Sequence, residues 1–207
     1  MRLWHRKKVV SFLASTKGLI VSSVAKKIIH NEIKAKTGCI ITDNPSAQVL
    51  VRARHFDIPA YVVDPVRYSS REKHEEAIIA LFEKYKTDLV VTAGYLRMLS
   101  GHFIKKYRTR IINIHPSLLP SFPGIHSQKK ALDYGVKITG CTSHFIDEGM
   151  DTGPIIMQVP VVVHEHDTVE SLSMNILREE YNIISESVRL FCENKLDVIG
   201  NKVIIRT

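Results

Sequence analysis

Hydrophobic and polar positions alternate along the first half of the chain between short apolar runs and longer amphipathic stretches. The apolar runs have the length of buried strands, and the amphipathic stretches repeat with the period of a helix. We predict strands over residues 9–14, 39–42, 58–63, 88–92 and 110–114, separated by helices over residues 19–33, 47–55, 69–84 and 100–107. Strands that alternate with helices indicate a mostly parallel sheet with right-handed crossovers.

Two of these helices begin at polar residues that favour a first helical turn. Asn44 or Ser46 is placed to cap the second predicted helix. Ser69 and Glu72 have the spacing of a capping box at the start of the third. Both patterns predict where these helices start.

The hydrophobic pattern changes after residue 115. It predicts a proline-rich loop over residues 116–124, helices over 127–134 and 167–192, alternating strands over 139–146 and 155–163, and a hairpin of strands 196–199 and 203–205. Asp167 or Thr168 is placed to cap the long helix. Alternating strands are typical of antiparallel pairing. We therefore predict a single α/β domain over residues 1–207, with a Rossmann-like, mostly parallel open sheet flanked by helices and antiparallel strands added in the C-terminal half.

The composition, with 44% hydrophobic and 24% charged residues, is typical of a soluble globular protein. The three cysteines, Cys39, Cys141 and Cys192, contain no CxxC pair, so neither a disulfide framework nor a zinc site is indicated. We expect reduced cysteines in a cytoplasmic protein. The apolar run after the basic segment 1–8 is short and is interrupted by serines, so we predict no signal peptide and no membrane span.

The net charge of +8, from 29 basic and 21 acidic residues, has two interpretations. The basic residues either form a solvated basic surface or attract an anionic ligand. The basic residues are dispersed, and no nucleic-acid-binding motif is present. We therefore expect no nucleic-acid partner.

Polar residues follow the fifth predicted strand at the edge where an open parallel sheet binds ligands. Asn113 and His115 are two residues apart, so both project to the same side of that strand. Asp151 lies in a loop with glycines on both sides, and His144 lies on the strand before it. An amide, an imidazole and a carboxylate suit transfer at a carbonyl, because the first two stabilise an oxyanion while the third favours the charged imidazole and helps to move a proton.

Each of these residues also has a simpler structural interpretation. His115 is then a satisfied loop histidine, Asp151 a turn former and His144 a half-buried strand residue. Spacing alone leaves both interpretations open. The chain has no Gly-x-Ser-x-Gly, His-Glu-x-x-His or Gly-x-x-x-x-Gly-Lys-Ser/Thr motif, so a serine hydrolase, a zinc protease and a Walker-type nucleotide hydrolase are unsupported.

Three segments resemble the motifs of the folate-dependent formyltransferase superfamily. The first is Asn113–Pro120 followed by Pro123–His126, the second is Met150–Ile156, and the third is Ala93–Ser100. Their order and spacing agree with the superfamily as well. The resemblance extends from about residue 9 to the end of the predicted long helix.

The resemblance implies transfer of a formyl group from 10-formyltetrahydrofolate to an amine, without a metal. The Pro123–His126 segment is most similar to the branch that formylates glycinamide ribonucleotide in purine biosynthesis. Larger relatives carry a C-terminal barrel or an N-terminal regulatory domain, for which we expect no room in this chain. We expect a monomer or a homodimer. Three alternative functions remain open: another formyltransferase, a folate deformylase and a non-catalytic basic binding protein.

The resemblance also implies roles for individual residues. Asn113 and His115 polarise the formyl carbonyl, Asp151 orients His115 and relays protons, and His144 supports them. Further residues contact the ligands: the backbone around Arg97, Met98 and Leu99 binds the pteridine, Arg71 meets the folate tail or another anionic end, and Glu180 holds the ribose hydroxyls. The Leu119–Pro120 bond is expected to be cis.

The first loop departs from the superfamily pattern. Relatives place a glycine-rich loop with Gly-Ser-Asn after the first strand to bind the substrate phosphate, whereas this chain has Ala14–Ile20. Leu19 stands where the asparagine is expected. Thr16, Lys17 and the amides of Gly18 and Leu19 remain to hold the phosphate. We expect the substrate phosphate to bind in the N-terminal half, residues 1–100, and folate binding and catalysis to lie in residues 101–207.

Overall fold

A computed structural model describes residues 6–206 of the protein. The strands are β1 Lys8–Leu13, β2 Ala35–Thr42, β3 Ala60–Val62, β4 Leu89–Thr92, β5 Ile111–His115, β6 Ile138–Phe145, β7 Ile155–Val162, β8 Leu196–Ile199 and β9 Lys202–Ile205. The α-helices are α1 Leu19–Ile29, α2 Val49–His55, α3 Arg71–Lys84, α4 Gly101–Lys106, α5 Ser127–Tyr134 and α6 Val169–Cys192, and a 3₁₀ turn covers Pro65–Arg67.

All of these strands lie in one sheet in the order β3-β2-β1-β4-β5-β6-β7-β9-β8. Strands β1 to β5 pair in parallel, whereas β6 runs antiparallel to both β5 and β7. The predicted fold class is confirmed, including the antiparallel strands in the C-terminal half. The strand order reverses between β1 and β4, and the carboxyl ends of strands at such a reversal form a ligand-binding crevice.

Two hydrophobic clusters cover the two faces of the sheet, because alternate residues of a strand point to opposite faces. Val10 and Phe12 pack in the cluster that also contains side chains of α1, α2 and α6. Leu13 packs in the other cluster, with side chains of α3 and α4. Ile111 and Ile112 divide between the clusters in the same way. Helices on both faces hold the strands in place, so the loops at the strand ends are set by a packed core.

Several element boundaries differ from the sequence predictions. Helix α1 ends at Ile29 rather than at residue 33, because Asn31 adopts a left-handed conformation with φ 60° that ends the helix. Strand β2 begins at Ala35, four residues before the predicted start, since polar residues within it hide the apolar pattern. The predicted terminal hairpin is present as β8 and β9.

The helix caps also differ in part. Ser70, not Ser69, caps α3 by accepting the backbone N–H of Lys73. Asn44 accepts the N–H of Ser46 and so shapes the turn before α2, which begins without a side-chain cap. Thr168 caps α6 as one of the two predicted alternatives. Within residues 6–206, no helix has the length and apolar character needed to cross a membrane.

Candidate active site

A cleft of about 620 Å³ opens at the carboxyl ends of β4 and β5. Asn113 and His115 line it from β5, His144 from β6, and Asp151 from the loop between β6 and β7. The antiparallel register places Asn113 opposite His144. The four polar side chains singled out from the sequence therefore lie in one cavity, and its volume is sufficient for a drug-sized ligand.

The amide of Asn113 is held in one orientation by two neighbours. Its Oδ1 accepts the hydroxyl hydrogen of Thr92 at 2.9 Å, and its Nδ2 lies 3.3 Å from His144 Nε2. His144 Nδ1 is 2.9 Å from the carbonyl of Phe145, so Nδ1 carries the hydrogen. Burial lowers the pKa of His144, so the ring is neutral and Nε2 offers a lone pair to Asn113. The second Nδ2 hydrogen then has no partner among the described residues and remains available to a ligand.

His115 is buried, with acceptors at both ring nitrogens. Nδ1 lies 3.3 Å from Asp151 Oδ2, and Nε2 lies 3.0 Å from the carbonyl of Phe122 and 3.1 Å from Ser127 Oγ. The Ser127 hydroxyl donates to the carbonyl of Gly124, so it presents a lone pair to the imidazole. Acceptors therefore lie beside both ring nitrogens, and they hold the imidazole in one orientation.

Asp151 joins two loops at the mouth of the cleft. Its Oδ2 accepts the backbone N–H of Gly124 at 2.8 Å, and its Oδ1 lies 3.8 Å from His144 Nε2. The residue itself has φ 56°, in the left-handed region. Gly153 follows closely, and a Cβ there would collide with the carbonyl of Phe145. The tight loop therefore needs glycine at residue 153 to bring the carboxylate to His115.

Another wall of the cleft is formed by Arg97, Met98 and Leu99, which all line it. The Leu99 side chain is buried in the core, whereas Met98 is half exposed. Arg71 does not line the cleft but donates from Nη2 to the carbonyl of Met98 at 2.6 Å. Its Nε also pairs with Glu75, a buried carboxylate that the sequence analysis missed. The four-residue spacing of Arg71 and Glu75 on a helix is the signal that could have found it.

The first loop borders this cleft without lining it. Thr16 Oγ1 packs against Gly94, a cleft residue, and Ser15 Oγ accepts the N–H of Leu96 at 3.2 Å. Gly18 has φ 66° and contacts Val49 so closely that a side chain would collide. Helix α1 starts directly after it with no side-chain cap and no acidic residue in its first turn. Among the described residues, its first backbone N–H groups therefore have no side-chain acceptor, and the helix dipole favours an anion there.

Charged residues lie in and beside this loop, and a further one lies on α6, a helix that packs against α1. Lys17 is exposed, and its carbonyl accepts from Arg52 Nε at 2.7 Å. Glu180 on α6 is only 9% exposed. It has no hydrogen bond or ion pair among the described residues. Burial raises the pKa of Glu180 to about 7. An unpaired buried carboxylate is costly, so hydroxyl donors of a ligand would stabilise it.

Comparison with known proteins shows which family this chain belongs to. Residues 7–188 match the family model described as formyl transferase. The chain belongs to the formyl transferase family. The phosphoribosylglycinamide formyltransferase of Bacillus subtilis (strain 168) is 37% identical over 174 residues, covering 84% of this chain and 89% of that protein.

Two solved structures are similar to this formyl transferase over nearly its full length. Glycinamide ribonucleotide transformylase 1 from Symbiobacterium toebii superposes with a TM-score of 0.97 at 39% identity, covering 100% of this chain and 99% of the other. A formyltetrahydrofolate deformylase from Pseudomonas syringae pv. tomato str. DC3000 gives a TM-score of 0.86 at 28% identity, covering 98% of this chain and 67% of the other. The fold alone therefore does not select the acceptor.

Within this formyl transferase, the cleft takes residues from both halves of the sequence. Arg97 to Leu99 come from the N-terminal half and line the same cleft as the polar residues of the C-terminal half. The Leu119–Pro120 bond is cis, as the resemblance implies. Residues 6–206 contain no cluster of three metal-ligating side chains. Cys39 and Cys141 are free and buried, and Cys192 is free and half-buried.

Proposed function

We propose that this protein transfers the formyl group of 10-formyltetrahydrofolate to the amine of glycinamide ribonucleotide in purine biosynthesis. The observation that carries the proposal is the convergence of Asn113, His115 and Asp151 in one cleft. The names of the relatives at 37% and 39% identity support the same acceptor. The proposal includes a cytoplasmic location, supported by the free cysteines.

The transfer begins when the amine nitrogen of the acceptor forms a bond to the formyl carbon and the carbonyl electron pair moves onto oxygen. Asn113 donates its free Nδ2 hydrogen to that oxygen, and the ring of His115 stabilises it. The 3.3 Å contact of His115 with Asp151 is long, and such contacts tighten when substrate binds.

The second half of the reaction restores the carbonyl. The oxyanion electron pair returns to the carbon as the bond between that carbon and N10 of the folate breaks. Asp151 accepts, through a water molecule, the proton that the amine loses. It then gives this proton to N10, the leaving nitrogen, as the bond between carbon and N10 breaks. The carboxylate is suited to this relay because it lies at the cleft and is held by Gly124 and His115.

The folate occupies the side of the cleft lined by Arg97 to Leu99. Exposed apolar side chains around the mouth (Leu96, Met98, Ile125 and Met150) offer an apolar surface to its rings. Arg71 is half exposed and has donors beyond those used by Glu75 and Met98, so it also meets the anionic tail.

The ribonucleotide occupies the side bordered by the first loop. Its phosphate accepts hydrogen bonds from the amides of Gly18 and Leu19, with Thr16 and Lys17 supplying a hydroxyl and a positive charge. Glu180 accepts the ribose hydroxyls, which pairs an otherwise unpartnered carboxylate. The loop thus retains backbone donors where the asparagine side chain of relatives is replaced.

A second candidate is hydrolysis of the same formyl donor, with water as the acceptor. The similarity to the Pseudomonas syringae deformylase favours it, because that protein shares the fold at a TM-score of 0.86. The reaction would use the same oxyanion donors. It differs from the first candidate in needing no ribonucleotide.

Turnover of 10-formyl-dideazafolate, with and without glycinamide ribonucleotide, separates these functions. We expect loss of the formyl group only when the ribonucleotide is present. Release of formate without ribonucleotide would support the deformylase, and binding of the folate without turnover in either mixture would support a non-catalytic binding protein.

A further inference from the structure

Glu75 on α3 is a buried carboxylate that the proposed chemistry does not use. Its side chain is 3% exposed. Oε1 accepts the backbone N–H of Ser100 at 2.8 Å and lies 3.3 Å from Arg71 Nε, while Oε2 accepts the hydroxyl of Ser100. Burying a charge is expensive, so a carboxylate with this many partners holds a particular arrangement in place.

Arg71 extends this arrangement to the cleft. Its Nε pairs with Glu75, and its Nη2 donates to the carbonyl of Met98 at 2.6 Å. Arg71 and Glu75 together bind the carbonyl before Leu99 and the amide after it. The backbone is thus fixed on both sides of one residue of the cleft wall.

Leu99 itself lines the cleft. The residue is 8% exposed, and its side chain packs in the same cluster as Phe103 and Ile104. Among the described residues, neither its N–H nor its carbonyl has a hydrogen-bond partner. A free donor and a free acceptor on one fixed residue complement the edge of a heteroaromatic ring that carries both groups.

We propose that Glu75 is a positioning residue that presents the Leu99 backbone to the heteroaromatic ring of the folate. The inference rests on the proposed function only in taking a folate as the ligand of this wall. Glu75 acts through Arg71 and Ser100 and touches no substrate.

Helix capping alone does not account for the arrangement. The cap of α4 is the hydroxyl of Ser100, which accepts the N–H of Phe103 at 3.2 Å. The bond from Arg71 to Met98 contributes nothing to that cap, yet it depends on Glu75 to orient the guanidinium. The bond from Arg71 to Met98 and the bond from Ser100 to Glu75 have one effect in common, because both fix the position of Leu99.

The test is the dissociation constant of 10-formyl-dideazafolate, measured by calorimetry on the full chain. Glu75→Gln leaves one acceptor for Ser100 but removes the charge that orients Arg71. We expect the dissociation constant to rise by about tenfold, which corresponds to ~1.4 kcal/mol. Glu76→Gln is the matched control, because Glu76 is the exposed neighbour on the same helix, and we expect no change.

Steady-state kinetics distinguish this role from a purely structural one, because a purely structural change would not alter the KM for the folate selectively. The KM for the folate should rise with the dissociation constant, while the KM for glycinamide ribonucleotide changes less than about twofold. Ser100→Ala keeps the backbone bond to Glu75 and serves as a milder variant if Glu75→Gln fails to fold. We expect it to weaken folate binding by a smaller factor.

Two results would overturn the inference. One is a lower unfolding temperature of Glu75→Gln with unchanged affinity for the folate. The other is an equal rise in both KM values. Wild type that binds the folate but does not formylate the ribonucleotide would instead refute the proposed function, and the binding comparison would still decide the role of Glu75.

Discussion

His144 Nε2 lies 3.3 Å from Asn113 Nδ2 across the antiparallel pair of β5 and β6. The neutral imidazole is an acceptor there, because its Nδ1 hydrogen is already donated to the carbonyl of Phe145. A buried strand histidine thus decides which end of the Asn113 amide faces the cleft. In the proposed mechanism, the free N–H of that amide is the donor that stabilises the oxyanion.

Replacing His144 should therefore reduce kcat through Asn113. Asn113→Ala removes the donor and should lower kcat by about a hundredfold or more. His144→Phe keeps the donor but frees the amide to turn, so we expect a smaller loss, about tenfold. His144→Gln should recover part of the activity, because its amide oxygen can accept from Nδ2. Steady-state kinetics on the three variants check this order, and full kcat in His144→Phe would remove His144 from the site.

Asp151→Asn should separate catalysis from folding. The asparagine oxygen can still accept the N–H of Gly124, so we expect an unfolding temperature close to that of wild type. The charge beside His115 and the proton relay are lost, so kcat should fall by about a hundredfold or more. Asp133→Asn, an exposed carboxylate on α5, is the control and should retain full activity. An Asp151→Asn variant with nearly wild-type kcat would contradict the role given to this carboxylate.

Lys17→Ala should weaken binding of the ribonucleotide and leave binding of the folate unaffected. A hydrogen bond from a charged donor contributes enough that we expect the KM for glycinamide ribonucleotide to rise about tenfold. Lys26→Ala is the control, since Lys26 is exposed near the opposite end of α1. The KM for the ribonucleotide should also rise with salt in wild type and less so in Lys17→Ala. Equal KM values in wild type and Lys17→Ala would remove Lys17 from the phosphate site.

Glu180 predicts a pH dependence of stability. Its pKa is raised by burial from 4.5 to about 7, so the folded state holds a proton that the unfolded state releases in this window. The free energy of unfolding should then fall as pH rises from about 4.5 to about 7, by up to ~3 kcal/mol. The free energy of unfolding of wild type and of Glu180→Gln, measured at about pH 5 and about pH 8, checks the sign of this change. The variant should gain stability relative to wild type at the higher pH, and a constant difference between the two would contradict the assignment.

The same carboxylate should tie ribonucleotide affinity to pH. Ribose hydroxyls donate to the charged form, so affinity should increase as pH rises through about 7 in wild type. Calorimetry with glycinamide ribonucleotide measures this, and Glu180→Gln should show weaker binding with a flatter dependence at these pH values. A pH profile that is the same in both proteins would place the ribose elsewhere.

Much of the fold follows from the hydrophobic pattern because the parallel strands are buried on both faces. Ile111 and Ile112 form an apolar step directly before Asn113, and they begin the strand β5. Strand β2 was only half predicted, since Lys36 and Thr37 break its apolar run although Ala35 is buried. The end of α1 depends on the backbone conformation of Asn31, which no periodic pattern encodes.

The sequence alone singles out the four polar side chains that line the cleft, but it does not predict their contacts. Asn113 and His115 share a face by strand geometry, whereas the pairing of Asn113 with His144 requires the register of two antiparallel strands. Glu75 escaped notice because a glutamate on an amphipathic helix is usually solvated. Its burial depends on Ser100, which lies 25 positions away in the sequence.

The most direct test of the account is the fate of an isotopically labelled formyl group. Wild type and Asp151→Asn are mixed with formyl-labelled 10-formyltetrahydrofolate and glycinamide ribonucleotide, and the products are identified by NMR. The account predicts that, at a time when wild type has moved most of the label to the amine of the ribonucleotide, Asp151→Asn still has nearly all of it on the folate. Label recovered as free formate, or an equal yield of formylated ribonucleotide from both proteins at that time, would contradict it.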